Sequence, residues 1–189
     1  IEENELVIYH TGYSKDRIIS KAETNLELLL KEIEKPKIDP TMYHFLSDTY
    51  LTLKDYEQSI KYSKKFLSSK INIEGLNSKV YQNLISAMVE SKHEWQEIYD
   101  VIEEAMEIFP DHPMFQIYLA KSHHFTNKYE AALESYKKTI ELQENYIGIE
   151  INFITGKIYE IEYSIACIYE YKNKEEDALE YYTKALTRK

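Results

Sequence analysis

Four residue types are scarce in this chain of 189 residues: it holds one Cys, one Trp, four Gly and four Pro. The single cysteine, Cys167, excludes an internal disulfide framework and fits a reducing compartment. So few Gly and Pro leave little to break helices. Cations are also short, with 23 Lys and Arg against 33 Asp and Glu and a net charge of −10. That balance argues against a general nucleic-acid partner, because no excess of Lys and Arg is present to displace phosphate counterions. No apolar run approaches the ~20 residues of a membrane-spanning helix, and no signal-peptide pattern opens the chain. A cytoplasmic protein with no membrane span is the expectation. What is abundant is equally telling. The hydrophobic share of 43% is that of a folded globular chain. Tyr numbers eighteen against six Phe. Tyrosine suits positions that are apolar on one side and wet on the other, as in thin two-layer helical contacts.

Internal similarity decides the fold class. Four segments align: "YHFLSDTYLTLKDYEQSIKYSKKFL" from Tyr43, "YQNLISAMVESKHEWQEIYDVIEEAM" from Tyr81, "QIYLAKSHHFTNKYEAALESYKKTI" from Gln116 and "EYSIACIYEYKNKEEDALEYYTKAL" from Glu162. In the first half of each, apolar residues recur three and four apart, as in Tyr43, Leu46 and Tyr50 or Tyr81, Leu84 and Met88. A short polar break follows. In the second half an often small residue leads another apolar series: Ser59, Ile60, Tyr62 and Phe66; Ala132, Leu133, Tyr136 and Ile140; Ala178, Leu179, Tyr182 and Ala185. Each segment therefore reads as helix, turn, helix.

This pattern resembles the tetratricopeptide repeat, a unit of roughly 34 residues made of two antiparallel helices. The resemblance implies an all-α fold, a right-handed superhelix of antiparallel helix pairs, with repeats at 40–70, 78–110, 113–144 and 153–189. Ser59, Ala132 and Ala178 stand where that family keeps a small side chain. Tyr50, Met88, His123 and Tyr169 occupy its usual tyrosine position, and Pro110 closes the second repeat. The family's usual glycine is replaced by Ser47, Ile85, Ala120 and Ala166. The second repeat has Ile98 in the small-residue slot and one extra residue near "SKHEW". The intervals Ser59–Ile98, Ile98–Ala132 and Ala132–Ala178 are 39, 34 and 46 residues, so only the middle one is regular. The last excess falls in "QENYIGIEINFITGKIY", read as a lengthened first helix of the fourth repeat with an ordered lead-in. Residues 14–35 read as a linking and capping helix with Ser14 as N-cap and Ile18, Ala22, Leu26, Leu29, Leu30 and Ile33 as its apolar stripe. Pro36 and Pro40 end it. The last helix stops at "YYTKALTRK" without a polar capping helix, so further chain is expected there.

No catalytic constellation stands out: there is no Gly-rich phosphate loop and no Ser-His-Asp pattern. His123 and His124 are adjacent, hence about 100° apart on a helix, and are expected to be one packed and one solvated rather than two metal ligands. Cys167 reads as a packed or groove-lining thiol, and Trp95 as a hinge-packing residue. Arrays of this kind curve, with the first helix of each repeat on the concave side. The residues off the packing stripe there are His44, Asp48 and Leu51; Gln82, Ser86 and Val89; Ile117, Lys121 and His124; Tyr163, Cys167 and Glu170. They are the candidate groove for a protein or peptide segment. Repeat domains of this type that clamp a chaperone's C-terminal carboxylate use a Lys and Asn pair in the first repeat. His44 and Asp48 stand there instead, and an acidic residue would repel a carboxylate.

The opening "ELVIYHTGYS" reads differently from the rest. Leu6 to Tyr9 are β-prone and apolar and run into His-Thr-Gly, as a short buried strand entering a turn would. The first residue is Ile1 rather than Met, so a piece of a longer chain is expected. The junction resembles that of bacterial glycosyltransferases with a GT-A (family 2) nucleotide-sugar domain followed by tetratricopeptide repeats. It matches at His10, Gly12, Tyr13, Lys21, Asn25, Leu26, Asp39 and Pro40, and departs at Thr24, where the family often has Arg. The resemblance implies that residues 1–13 are the edge of an upstream catalytic domain. It also implies that the parent enzyme uses a divalent metal and a nucleotide-sugar donor, with His10 a candidate metal or diphosphate ligand. This chain alone would then have no activity and no cofactor, its repeats positioning an acceptor or partner. The alternative is a stand-alone scaffold or peptide-sensing regulator built on the same repeats.

Overall fold

A computed structural model describes residues 15–148 and 152–189. The strand expected at Leu6 to Tyr9, the cap Ser14 and the candidate ligand His10 lie outside the described residues. The chain divides into two compact units, Ile1–Ile71 and Asn72–Lys189. Among the described residues every regular element is an α-helix.

In the first unit, α1 (Lys15–Ile33) packs on α2 (Thr41–Thr52), and α2 pairs with α3 (Tyr56–Ser68). Ala22 is buried, and Leu26, Leu29, Leu30 and Ile33 are half-buried, as an apolar stripe requires. Ile18, at the start of that stripe, is exposed. Asp39 opens α2 by accepting from Thr41 N at 2.9 Å, and Asp55 opens α3 by accepting from Gln58 N at 3.2 Å. The helices of the pair meet through three buried hydroxyls. Ser47 Oγ lies 2.6 Å from Ser63 Oγ, and Ser59 Oγ donates to the Ser47 carbonyl at 2.9 Å. Small side chains let the backbones approach, and the hydroxyls satisfy one another where water is shut out.

The second unit holds three more pairs: α4 (Leu76–Glu90) with α5 (Trp95–Ile108), α6 (Pro113–Phe125) with α7 (Tyr129–Glu144), and α8 (Ile158–Tyr171) with α9 (Glu175–Arg188). Ala120 and Ala132 are fully buried where α6 meets α7, and Ala166 and Ala178 are buried where α8 meets α9. At the same places α4 and α5 carry Ile85 and Ile98, both fully buried. Two isoleucines cannot be brought as close as two alanines, and α4 and α5 touch along much less of their length than the other pairs. Aromatic rings support this loose corner. Phe115 stacks on Phe109 at 5.7 Å, meets the Tyr81 ring edge-on at 6.3 Å and lies 5.1 Å from the His112 ring.

All four pairs close with the same turn. The first helix of each pair ends in a residue of left-handed backbone: Lys54 (φ 62), Lys92 (φ 59), Asn127 (φ 59) and Asn173 (φ 55). The next amide then reaches back to a carbonyl in the last helical turn. Asp55, His93, Lys128 and Lys174 N–H groups donate to the Tyr50, Met88, His123 and Tyr169 carbonyls at 2.9, 3.0, 2.8 and 2.9 Å. This is the Schellman arrangement, which satisfies carbonyls that a helix end would otherwise strand. It recurs in the second pair despite the one-residue-longer turn there. A lysine held left-handed costs about 1–2 kcal/mol that glycine would not. Glycine returns part of this through its freer unfolded state, so Lys54→Gly should stabilise the first unit by about 0.5–1 kcal/mol. Urea unfolding measures this, with Lys54→Ala, which keeps the left-handed cost, as the unchanged control.

The connector after α7 differs from the lengthened helix expected from its sequence. α8 starts only at Ile158, and residues 152–157 form turns. The Asn152 side chain accepts from Ile154 N at 2.9 Å, and Gly156 is left-handed (φ 76). Both features are incompatible with helix at those positions. The connector nevertheless packs, since Ile154 is buried in the core of the second unit.

Candidate functional site

The second unit contains an open groove of about 500 Å³. One side comes from α4, with Ile85, Ser86, Val89 and Glu90; the other from α6, with Ile117, Tyr118, Lys121 and Phe125. Trp95, Ile98 and Ile102 of α5 and Tyr136 of α7 complete the lining. Phe153, Ile154 and Lys157 of the connector, with Glu160, Ile161 and Ser164 of α8, close the far end.

The lining joins apolar surface to a few placed polar groups, the usual constitution of a recognition site. Trp95 and Phe125 stack at 5.0 Å with an angle of 13°, and Phe125 stays 65% exposed. These rings sit at the start of α5 and the end of α6, so the two turns that bound the neighbouring pairs bring them together. On the floor, Ser86 Oγ and Tyr118 OH share a hydrogen bond of 3.0 Å between α4 and α6. Burial pushes the Tyr118 hydroxyl up, with the Ser86 bond opposing. Tyr136 is held by a 3.3 Å contact to His124 Nδ1. Burial drives its hydroxyl up to about 12, the Ser164 hydroxyl acting the other way. Both phenols are therefore neutral hydrogen-bond donors at physiological pH. Lys79 Nζ lies 5.0 Å from the Phe153 ring, which ties the start of α4 to the connector.

The residues expected on the concave face do not share one setting. Ser86, Val89, Ile117 and Lys121 line the groove. Ile117, however, is only 8% exposed and serves as floor rather than as a free contact. Gln82 is buried, and so is His44 of the first unit, whose ring packs against Phe45 and Phe66. α2 is flanked by α1 as well as by α3, and α4 by α6 as well as by α5, so the accessible strip of each is narrower than periodicity suggests. Asp48 and Leu51 are half-buried members of the first unit. Tyr163, Cys167 and Glu170 lie outside the groove, on a neighbouring strip of α8 turned toward Tyr182 of α9. Tyr182 OH donates to Glu170 at 2.5 Å and lies 3.6 Å from Cys167 Sγ, while the Tyr163 and Tyr182 rings are 5.6 Å apart. His124 reaches the site through Tyr136 and through the Phe125 ring, 6.2 Å away.

The paired histidines are not divided between core and solvent. Both are half-buried, each contacting a hydroxyl of α7: His123 meets Ser135 at 3.3 Å and His124 meets Tyr136. Burial lowers the pKa of both below the ordinary histidine value, so they are neutral at pH 7. Among the described residues no three His, Cys, Asp or Glu side chains gather as a metal site, and no helix is long and apolar enough to cross a membrane.

Known proteins share this architecture. The tetratricopeptide repeat profile matches residues 40–70, 119–146 and 159–189. It passes over the pair with Ile85 and Ile98, where both small-residue positions are lost. No curated protein matches the chain significantly in sequence. Among solved structures, a crystal structure of MamA is 20% identical, with 96% of each chain covered and a TM-score of 0.73. BtubC (BKLC) from P. vanneervenii is 15% identical over 92% of this chain and 74% of its own, with a TM-score of 0.72. MamA 41-end from Desulfovibrio magneticus RS-1 is 15% identical over 92% and 90%, with a TM-score of 0.71. At such identities the likeness is one of fold, and the profile itself matches three of the four helix pairs.

Proposed function

We propose that this repeat array is a protein-interaction scaffold whose second unit holds an apolar segment of a partner in the groove between α4 and α6. The observation that supports this most directly is the exposed Trp95–Phe125 stack beside an apolar trough floored by hydroxyl groups. Aromatic anchors of this kind dominate binding energy at interfaces. The Ser86, Tyr118 and Tyr136 hydroxyls provide polar contacts for a partner's backbone. A cytoplasmic setting suits the free thiol of Cys167. The reading is tested by selecting peptides from a displayed library against the whole chain. Val89→Ser with Phe125→Ser should weaken the selected peptides by about 10–100-fold, the loss of one or two anchors. Both side chains are partly exposed, so the circular dichroism spectrum should not change. If no peptide is selected, or the double variant binds as well as the parent, the reading is lost.

A second reading places these repeats behind a family 2 glycosyltransferase domain, where they would position the acceptor of an enzyme using a divalent metal and a nucleotide sugar. The junction motif favours it: His10, Gly12, Tyr13, Lys21, Asn25, Leu26, Asp39 and Pro40. Of these, Asp39 has an evident structural use, accepting from the first amide of α2, while His10 lies outside the described residues. The coding sequence upstream of Ile1 decides the matter. A nucleotide-sugar domain with its metal-binding aspartates must be encoded there, or the stand-alone scaffold is the remaining reading.

A further inference from the structure

The unit that contains the groove also carries nearly all of the chain's net charge. Residues 72–189 hold twenty-one Asp and Glu against twelve Lys and Arg, a net −9 of the total −10. The negative charge is densest on α5, which bears Glu97, Asp100, Glu103, Glu104 and Glu107 and no Lys or Arg. All five are exposed. Like charges three and four residues apart disfavour a helix by a few tenths of a kcal/mol each. Among the described residues none of the five is paired with a lysine or arginine. The same helix sends Trp95, Ile98 and Ile102 into the groove, while its five carboxylates lie on its other faces and act on the site through their field. Within the lining, Lys121 and Lys157 are matched by Glu90 and Glu160. The field felt by an approaching partner is therefore set by α5 and the unit as a whole.

We propose that the occupant of the groove is a basic amphipathic segment of another protein. Its apolar side chains would seat between α4 and α6, and its Lys and Arg residues would stay at the rim, in the negative field of α5 and of the unit as a whole. This rests on the groove reading above and adds the charge of the partner to it. The field that attracts such a segment repels nucleic-acid phosphates and anionic lipid surfaces.

Two fluorescein-labelled synthetic peptides test the proposal against the whole chain. Both carry leucine at helical spacing; one has lysine at every remaining position and the other glutamate. Fluorescence anisotropy is read at low and at high salt. The lysine peptide should bind at least tenfold tighter than the glutamate peptide at low salt and lose most of that advantage at high salt. Replacing Glu97, Asp100, Glu103 and Glu107 by Gln, Asn, Gln and Gln should remove the advantage while leaving the helix intact. Val89→Ser with Phe125→Ser should weaken the lysine peptide as well. Equal affinity of the two peptides overturns the charge assignment and leaves the groove reading standing. Lysine-peptide binding that ignores the two serine substitutions overturns the proposal, because the acidic surface would then act without the groove. Binding of neither peptide at millimolar concentration also overturns it, and the library selection then judges the groove independently.

Discussion

Phe115→Ala should destabilise the second unit by about 4 kcal/mol, within the 3–5 kcal/mol range for emptying a fully buried phenylalanine site. Phe115 is 0% exposed and is the shared member of a four-ring cluster with Tyr81, Phe109 and His112. Elsewhere in the unit small residues let the helices of a pair sit directly on each other. α4 and α5 lack that contact, so the rings carry a larger share of what holds α4, α5 and α6 together. Tyr81 is tied in further by donating to Glu104 at 2.6 Å, and burial, with that bond second, raises its pKa well above the usual phenol range. In a repeat protein each pair touches only its neighbours, so unfolding need not be a single step. Hydrogen exchange is the appropriate measurement. Amides of α4–α6 should lose protection in the variant while those of α9 keep it. Phe115→Leu, which preserves most of the volume, should cost about 1 kcal/mol.

The second large effect is expected at the end of α9. Glu162 on α8 is 2% exposed, and Arg188 Nε donates to its Oε1 at 2.8 Å. Arg188 also reaches Glu144 of α7 at 2.8 Å, so one guanidinium ties three helices. Arg188→Met strands a buried carboxylate. Breaking a fully buried pair costs 3–5 kcal/mol; Arg188 is 43% exposed, so water softens the loss to about 2 kcal/mol. The pH dependence distinguishes this from lost packing. Burial already raises the Glu162 pKa above 4.5, with Arg188 holding it back. Removing Arg188 raises it further. A carboxyl group with a raised folded pKa binds its proton more tightly in the folded state, so it lowers stability as pH rises through that pKa. The deficit of Arg188→Met relative to the parent should be full at pH 7 and shrink as pH falls toward 4.5. Adding Glu162→Gln should recover most of it at neutral pH. A deficit independent of pH, or one that Glu162→Gln leaves in place, would show that Arg188 acts through packing alone.

The fold was largely legible because helix pairs write themselves into spacing. Apolar residues three and four apart marked both helices of each repeat, and the small residues Ser59, Ala132 and Ala178 marked where they touch. Ile98 in that slot signalled the odd pair. The common turn was less visible, because left-handed positions are usually announced by glycine and are filled here by Lys and Asn. Leu179 misled: it follows Ala178 in the apolar series yet is 68% exposed. The groove was half legible. Helical phase gave Ser86, Val89, Ile117 and Lys121. Trp95, Phe125, Phe153 and Ile154 escaped, since they belong to helix ends and a connector, where periodicity stops and packing across pairs decides. Cys167 and its neighbours were assigned by extending the same phase to α8, whereas the groove meets only the first half of that helix.

The scarcity of tryptophan has a practical consequence. The one indole of the chain lies in the groove, stacked on Phe125, while eighteen tyrosines are spread over both units. Excitation at the red edge selects Trp95 alone, so its emission maximum and its quenching by iodide report groove occupancy without any label. Tyrosine absorbance, read on the same sample, follows the unfolding of the whole chain. Ligand entry and loss of structure thus have separate optical signatures in the unmodified protein.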